Sequence, residues 1–174
     1  MKKLLLAVAA LVVSVAAYGQ GQVVFNNFVP PDVNAKVTDA SGAGLTSGWQ
    51  AQLWSAPAGT TDKSKFTALS PTTTFRTTPA AAAGYIVPTD VTVPGIAAGA
   101  QGSFIMRAFN GADYGSSQGK GESGIITISL GGGTLPPANL TGLQPFSVTI
   151  VPEPSTIALG ALGVLGLLFW RRKQ

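Results

Sequence analysis

The chain has 174 residues and a formal net charge of +4, with neither cysteine nor histidine. Those two absences exclude disulfide, thiolate and iron–sulfur chemistry, imidazole catalysis and the commonest zinc ligand sets. Five of the eleven basic residues lie at the two ends (Lys2, Lys3, Arg171, Arg172, Lys173). Between Gln20 and Val151, six basic side chains (Lys36, Lys63, Lys65, Arg76, Arg107, Lys120) cancel six acidic ones (Asp32, Asp39, Asp62, Asp90, Asp113, Glu122), so nucleic acid is excluded as a partner.

Met1 to Gly19 joins two lysines, an apolar core from Leu4 to Ala17 and the small-residue end Ala17-Tyr18-Gly19. This is the pattern of a secretory signal peptide, residues 1–19, with the cut between Gly19 and Gln20. The alternative, an N-terminal anchor, fits less well because the apolar run is short and ends in a small-x-small site. The expected partners at this end are the secretion translocon and signal peptidase, and the mature chain is expected to be exported.

Residues 20–150 suffice for one domain with a modest core. They are rich in Gly, Thr, Ser, Pro and Ala, and their apolar residues come in short alternating runs between turn formers, the pattern of an antiparallel β domain. The expected strands are 22–28, 35–38, 49–55, 74–77, 85–87, 91–93, 102–109, 124–130 and 145–150. Turn signals stand between them at Pro30-Pro31-Asp32, Ser41-Gly42-Ala43-Gly44, Asn110-Gly111, Gly131-Gly132-Gly133 and Pro136-Pro137. Eight or nine short strands so spaced predict an all-β fold, an antiparallel β-sandwich. Ala56 to Ala83 reads as a long mobile loop, and Ala80–Ala83 are too few to hold a helix alone.

Strand parity predicts the core. Trp49, Ala51 and Leu53 share the inward face of their strand, leaving Gln50, Gln52 and Trp54 outward. Ile126, Ile128 and Leu130 face in, as do Phe146, Val148 and Ile150. For 104–109 parity is ambiguous, since Phe104, Met106 and Ala108 compete with Ile105 and Phe109 around Arg107; the first set is favoured inward because Arg107 then lies toward solvent.

Candidate chemistry in the domain is sparse. Trp54 flanked by Gln50 and Gln52 offers a sugar-stacking platform with amide hydrogen bonders, against the commoner outcome that a loop or second sheet covers it. Gly115-Ser-Ser-Gln-Gly-Lys120 is one residue short of a phosphate loop and has Gly121 where Ser or Thr is needed, so it reads as a flexible hairpin. Asp113 and Glu122 flank it and form a candidate acid pair or Ca²⁺ site, against two solvated carboxylates. No metal site and no cofactor is expected. A Ser-His-Asp triad is impossible, and no catalytic residue is assigned. Asn139-Leu140-Thr141 is a glycosylation-type sequon.

Residues 151–174 form a third unit. The rigid tripeptide Pro152-Glu153-Pro154 precedes a 14-residue apolar run, Ile157 to Trp170, and then Arg171, Arg172 and Lys173. At ~1.5 Å per residue the run spans roughly 21 Å as a helix, short against a hydrocarbon core of about 30 Å. A helix over 155–170, with Trp170 and the basic end as interfacial anchors, predicts a short transmembrane segment with the domain outside the cytoplasm. The two prolines hold Glu153 on an extended linker.

Val-Pro-Glu-Pro-Ser-Thr, the short apolar run and Arg-Arg-Lys together resemble the PEP-CTERM sorting signal of bacterial surface proteins. The resemblance implies recognition by an exosortase, a membrane-embedded cysteine transpeptidase, with cleavage near Pro152, Glu153 and Pro154. It also implies a host that makes exopolysaccharide. An ordinary single-pass C-terminal anchor has the same topology. Val23-Val-Phe-Asn-Asn, the run from Gly124 and the run from Pro137 look like the body of uncharacterised small PEP-CTERM proteins, which implies no activity. The expectation is an exported, non-enzymatic structural protein of the cell surface or extracellular matrix. The alternatives are a carbohydrate-binding module retaining exopolysaccharide and, third, a glycan hydrolase working through two carboxylates.

Overall fold

A computed structural model describes residues 19–150. The expected signal helix, the 155–170 helix, Pro152-Glu153-Pro154 and the basic end therefore lie outside the described residues. Within them the protein is all-β, built of fourteen strand segments in several sheets.

β1 (Gln20–Phe25) alternates as expected, with Gly21, Val23 and Phe25 buried. It ends earlier than the sequence suggests because Asn26 turns the chain: its Oδ1 accepts from the Phe28 amide at 3.1 Å. Next, β2 (Phe28–Val29) and β3 (Val33–Asn34) form a small hairpin across Pro30-Pro31-Asp32. After β4 (Val37–Thr38) the chain reverses at Ser41–Gly44. There the Asp39 carboxylate accepts from Ser41 N, Ser41 Oγ and Ala43 N, and Gly42 takes a φ of 87° that a side chain would resist.

β5 (Gln50–Pro57) is a central strand of the larger sheet. The expected mobile loop after it is instead ordered against that strand. β6 (Thr67–Ala68) and β7 (Thr73–Thr74) both pair antiparallel with β5, and Phe66, Leu69 and Phe75 are buried. A single 3₁₀ turn at Ala80–Ala82 is all the helix the alanine run supports. The expected strand at 85–87 is reduced to one bridge, Phe75 to Ile86.

β8 (Thr89–Ala97) runs longer than the sequence suggests. Its pairing with β1 shifts register between Gln20 and Gly21, opposite Pro94-Gly95. Proline offers no amide to the ladder and Gly95 has a φ of 78°, so the pair bulges there, which an edge strand tolerates.

β9 (Gln101–Phe109) is buried along almost its whole length. It pairs with β5 on one side and with β10 (Gly119–Glu122) and then β11 (Ile126–Ser129) on the other. At the break between those two, the Ser123 hydroxyl accepts from the Met106 amide at 2.9 Å and keeps the buried backbone satisfied. β12 (Ala138–Asn139) adds to β1 in parallel. β13 (Phe146–Ser147) adds to β4, and β14 (Thr149–Ile150) adds to β10.

The smaller sheet is ordered β12-β1-β8 and the larger runs β14-β10-β9-β5-β6. One apolar core joins them: Val23 and Phe25 of β1 and Val91 and Val93 of β8 cluster with Ala51, Leu53, Phe104, Met106 and Ala108. Leu130, Leu140 and Val148 complete it.

Parity thus located most of the core, with these corrections. Trp49, Ile126 and Phe146 are half-buried at the core margin. Ile150 is 67% exposed, because the chain changes partner after β13 and β14 lies at the sheet edge. Arg107 does not face solvent. Its side of β9 is covered too, by a second apolar cluster of Ala56, Phe66 and Ile105 with Trp54 and Ile125 against it.

The polar centre of the fold is Asn27, fully buried. Its Nδ2 donates to Ala35 O at 2.7 Å and Gly84 O at 3.0 Å, and its Oδ1 accepts from the Ile86 amide at 2.9 Å. One side chain thereby ties its own turn to Ala35, eight positions on, and to the 84–86 segment, 57 to 59 positions on, and both polar atoms of its amide are used.

Candidate functional site

The face of β5 that carries Gln50, Gln52 and Trp54 is partly covered. Gln52 spends its Nε2 on Leu69 O at 3.1 Å, and Gln50 sits half-buried between Thr74 and Phe109 in register. Trp54 is half-buried, and the Arg107 guanidinium lies 4.2 Å from its ring centroid. The same guanidinium lies 4.6 Å from the ring of Tyr114, which meets Trp54 edge-on at 6.3 Å. Stacking of a planar cation between two aromatic rings is favourable by about 0.5–2 kcal/mol per face. The indole Nε1 is buried without a hydrogen-bond partner.

Glu122 completes this cluster. Its carboxylate accepts from Lys63 Nζ at 2.8 Å and from Arg107 Nε at 3.0 Å. Burial alone would raise its pKa, but the hydrogen bonds and charges of Lys63 and Arg107 together outweigh it and hold the carboxyl below its ordinary value. Burial, joined by the Glu122 charge, pushes the Tyr114 hydroxyl up. Arg107 Nη2 also donates to Lys63 O at 3.3 Å, and Lys63 Nζ to Ser123 O at 3.2 Å. The group is a mutually satisfied ion-pair network that clamps the 57–68 excursion onto the sheet.

The structure does not bring Asp113 and Glu122 together as a pair. Asp113 is an exposed turn residue accepting from the Ser116 hydroxyl and amide at 2.7 and 2.9 Å, bonds that lower its pKa. The 115–120 stretch does close a hairpin between β9 and β10, but a pinned one. Asn110 accepts from the Gly119 amide, and Lys120 Nζ donates to Gly115 O at 3.0 Å. Asn139 of the sequon is half-buried and paired in register with Val24, with Leu140 wholly buried beside it.

Sequence reasoning missed the Lys63–Glu122–Arg107 network. The sequence held no local signal for it, since Asp113 stands nearer to Arg107 along the chain than Glu122 does. The approach of Lys63 to Glu122 depends on a loop closing over 59 positions.

The two ends of the described chain bear on processing. Gly19 and Gln20 are exposed, and β1 begins at Gln20, immediately after the expected signal cut. At the other end β14 stops at Ile150, two positions before Pro152 in the sequence. Residues 151–173 match the PEP-CTERM protein-sorting motif. The chain carries a PEP-CTERM sorting signal. That signal marks an exported protein processed by an exosortase, as the sequence resemblance implied. No curated protein and no solved structure matches the chain. The PEP-CTERM match covers the tail and says nothing of residues 20–150.

Proposed function

We propose that this is a structural component of the cell surface or extracellular matrix: a β-sandwich domain, residues 20–150, delivered by a removable signal peptide, residues 1–19, and a C-terminal membrane-held sorting unit, residues 151–174, and acting without catalysis. The observation that carries the proposal is the PEP-CTERM match directly following the last strand. The composition of the domain supports it: no histidine, no cysteine and cancelling charges, with its strongest charge cluster used up internally. In the membrane-held stage, Arg171, Arg172 and Lys173 remain on the cytoplasmic side.

The test is the intact mass of the protein from its native host, beside a Glu153→Ala variant. The expected mature species begins at Gln20 and ends close to Pro152, with the variant unprocessed at that end. Retention of Arg171–Gln174 in both proteins would make the tail a plain anchor. Polysaccharide retention through Trp54 is a weaker reading, since a sugar could stack on the indole face that Arg107 covers only by displacing the guanidinium from Glu122.

A further inference from the structure

A second tryptophan and a second arginine, Trp49 and Arg76, lie together at the start of β5, away from the Trp54–Arg107 cluster further along that strand. Beyond β7 the chain runs on through Phe75 and Arg76 to Thr78, and with the Ser47–Trp49 turn it encloses a groove of about 470 Å³. That lies within the ~300–1,000 Å³ typical of small-ligand sites. One wall is Trp49, half-buried. Its ring rests on Gly119, where an added Cβ would come within 2.6 Å of Cη2, so the indole is held at a fixed height. Across from it, Arg76 Nε donates to Ile86 O at 2.9 Å, which fixes the guanidinium plane. Both ion pairs among the described residues converge on Glu122, so Arg76 has no carboxylate partner among them. The exposed Thr74 and Thr77 line the groove, with Val87, 47% exposed, as an apolar contact, and no acidic residue lines it.

A rigid indole takes the C–H face of a pyranose ring, hydroxyls exchange hydrogen bonds with its hydroxyls, and a guanidinium fork matches a carboxylate. We propose that this groove binds an acidic saccharide, a hexuronate unit whose carboxylate pairs with Arg76 while its ring packs on Trp49. The site is independent of tail processing. Because the domain has no net charge, polyanions are not drawn to it in general, and recognition falls to this one cation.

The experiment titrates the full chain in its exported form, by calorimetry, with hexagalacturonate and hexamannuronate, and with maltohexaose as the neutral control. At least one oligouronate binds saturably and the neutral hexaose does not. Arg76→Gln weakens binding about tenfold or more, the effect of one lost charge-assisted pair. Thr77→Phe fills the groove from an exposed position, so it abolishes binding while the unfolding midpoint stays put. Trp54→Phe leaves binding unchanged. Absence of oligouronate binding at millimolar concentration overturns the proposal. So does binding that survives both Arg76→Gln and Thr77→Phe, or that Trp54→Phe removes.

Discussion

Asn27 offers the sharpest test of how this fold is held. Replacing it with alanine removes three hydrogen bonds from a site with no solvent access. The losses are unequal. Gly84 O keeps a second donor, the Val37 amide at 3.0 Å, whereas the Ile86 amide loses the only partner it has at that site and Ala35 O loses its shortest contact. At about 1–3 kcal/mol per orphaned buried group, two such groups plus the small cavity cost roughly 3–5 kcal/mol. That is a large share of the ~5–15 kcal/mol that domains possess. With a urea slope of about 1–3 kcal/mol/M, the unfolding midpoint falls by about 2 M.

Asn27→Asp adds a pH signature. The carboxylate still accepts from Ile86 N but turns an anionic oxygen toward two carbonyls, so its folded pKa rises above the unfolded value of about 3.9. A raised folded pKa gives stability that is present below the unfolded value and lost as pH rises through the folded one. The variant therefore lies closest to the parent in acid and falls away toward neutrality. A midpoint shift under about 0.3 M for Asn27→Ala, or a pH-independent deficit for Asn27→Asp, would refute the assignment.

Glu122→Gln strips the carboxylate from Arg107, whose side chain is only 10% exposed, and costs about 1–3 kcal/mol in thermal unfolding at neutral pH. The parent's Glu122 pKa is depressed by folding, so its contribution is present above the unfolded value and lost as pH falls through the folded one; the gap between parent and variant closes in acid. Gly21→Ala drives a Cβ onto the Leu130 side chain and costs about 1–3 kcal/mol by urea titration. At Gly42 nothing obstructs a Cβ, and only the φ of 87° opposes it, so Gly42→Ala costs about 1 kcal/mol or less. Inserting a short Gly-Ser linker between Ile150 and Val151 speeds removal of the tail in the host, because the added residues lengthen the chain between the edge strand β14 and the Pro-Glu-Pro motif and free the motif from that strand's constraint. An unchanged ratio of processed to unprocessed protein in a pulse-chase would count against that constraint.

The sequence revealed what period-two alternation can carry and little beyond it. Ala51 and Leu53 were legible from the alternation of their strand, whereas Phe104, Met106 and Ala108 were placed inward on the assumption that Arg107 faces solvent, and Ile105 and Phe109 on the other side are buried as well. The place of Arg107 was not legible, because parity says which residues share a face and nothing about whether both faces are covered. The cover comes from Phe66, on the excursion after β5, and from Tyr114, in the β9–β10 hairpin loop, and neither shows in the alternation of β9 itself. β10 was invisible for a related reason: Gly-Lys-Gly-Glu has no apolar residue, and it is a strand only because the edge of β9 needs backbone partners. Ile150 failed in the opposite sense, an apolar residue in correct alternation placed where the sheet has run out. The PEP-CTERM signal was fully legible, since its elements are contiguous in sequence and need no fold to bring them together.

The two ends of the domain are built unequally, and the inequality suits the processing proposed at each. β1 starts at the expected signal cut and lies in the middle of its sheet, between β8 and β12, so the N-terminal strand pairs only after segments some seventy and more positions later have appeared. An exported chain emerging N-terminus first must therefore keep Val23 and Phe25 unpaired until most of the domain has crossed. Burial of those two side chains then makes the N-terminal end hard to withdraw. β14 is the reverse: two exposed residues on a sheet edge, contributing nothing to either apolar cluster. Detaching it exposes no core side chain and breaks pairing with Gly119 and Lys120 alone. Force or cleavage applied beyond Ile150 is thus spent on an edge pair, while Val148, the next residue inward from β14, stays bonded through its amide to Thr38 O at 2.8 Å and keeps the rest of the domain closed.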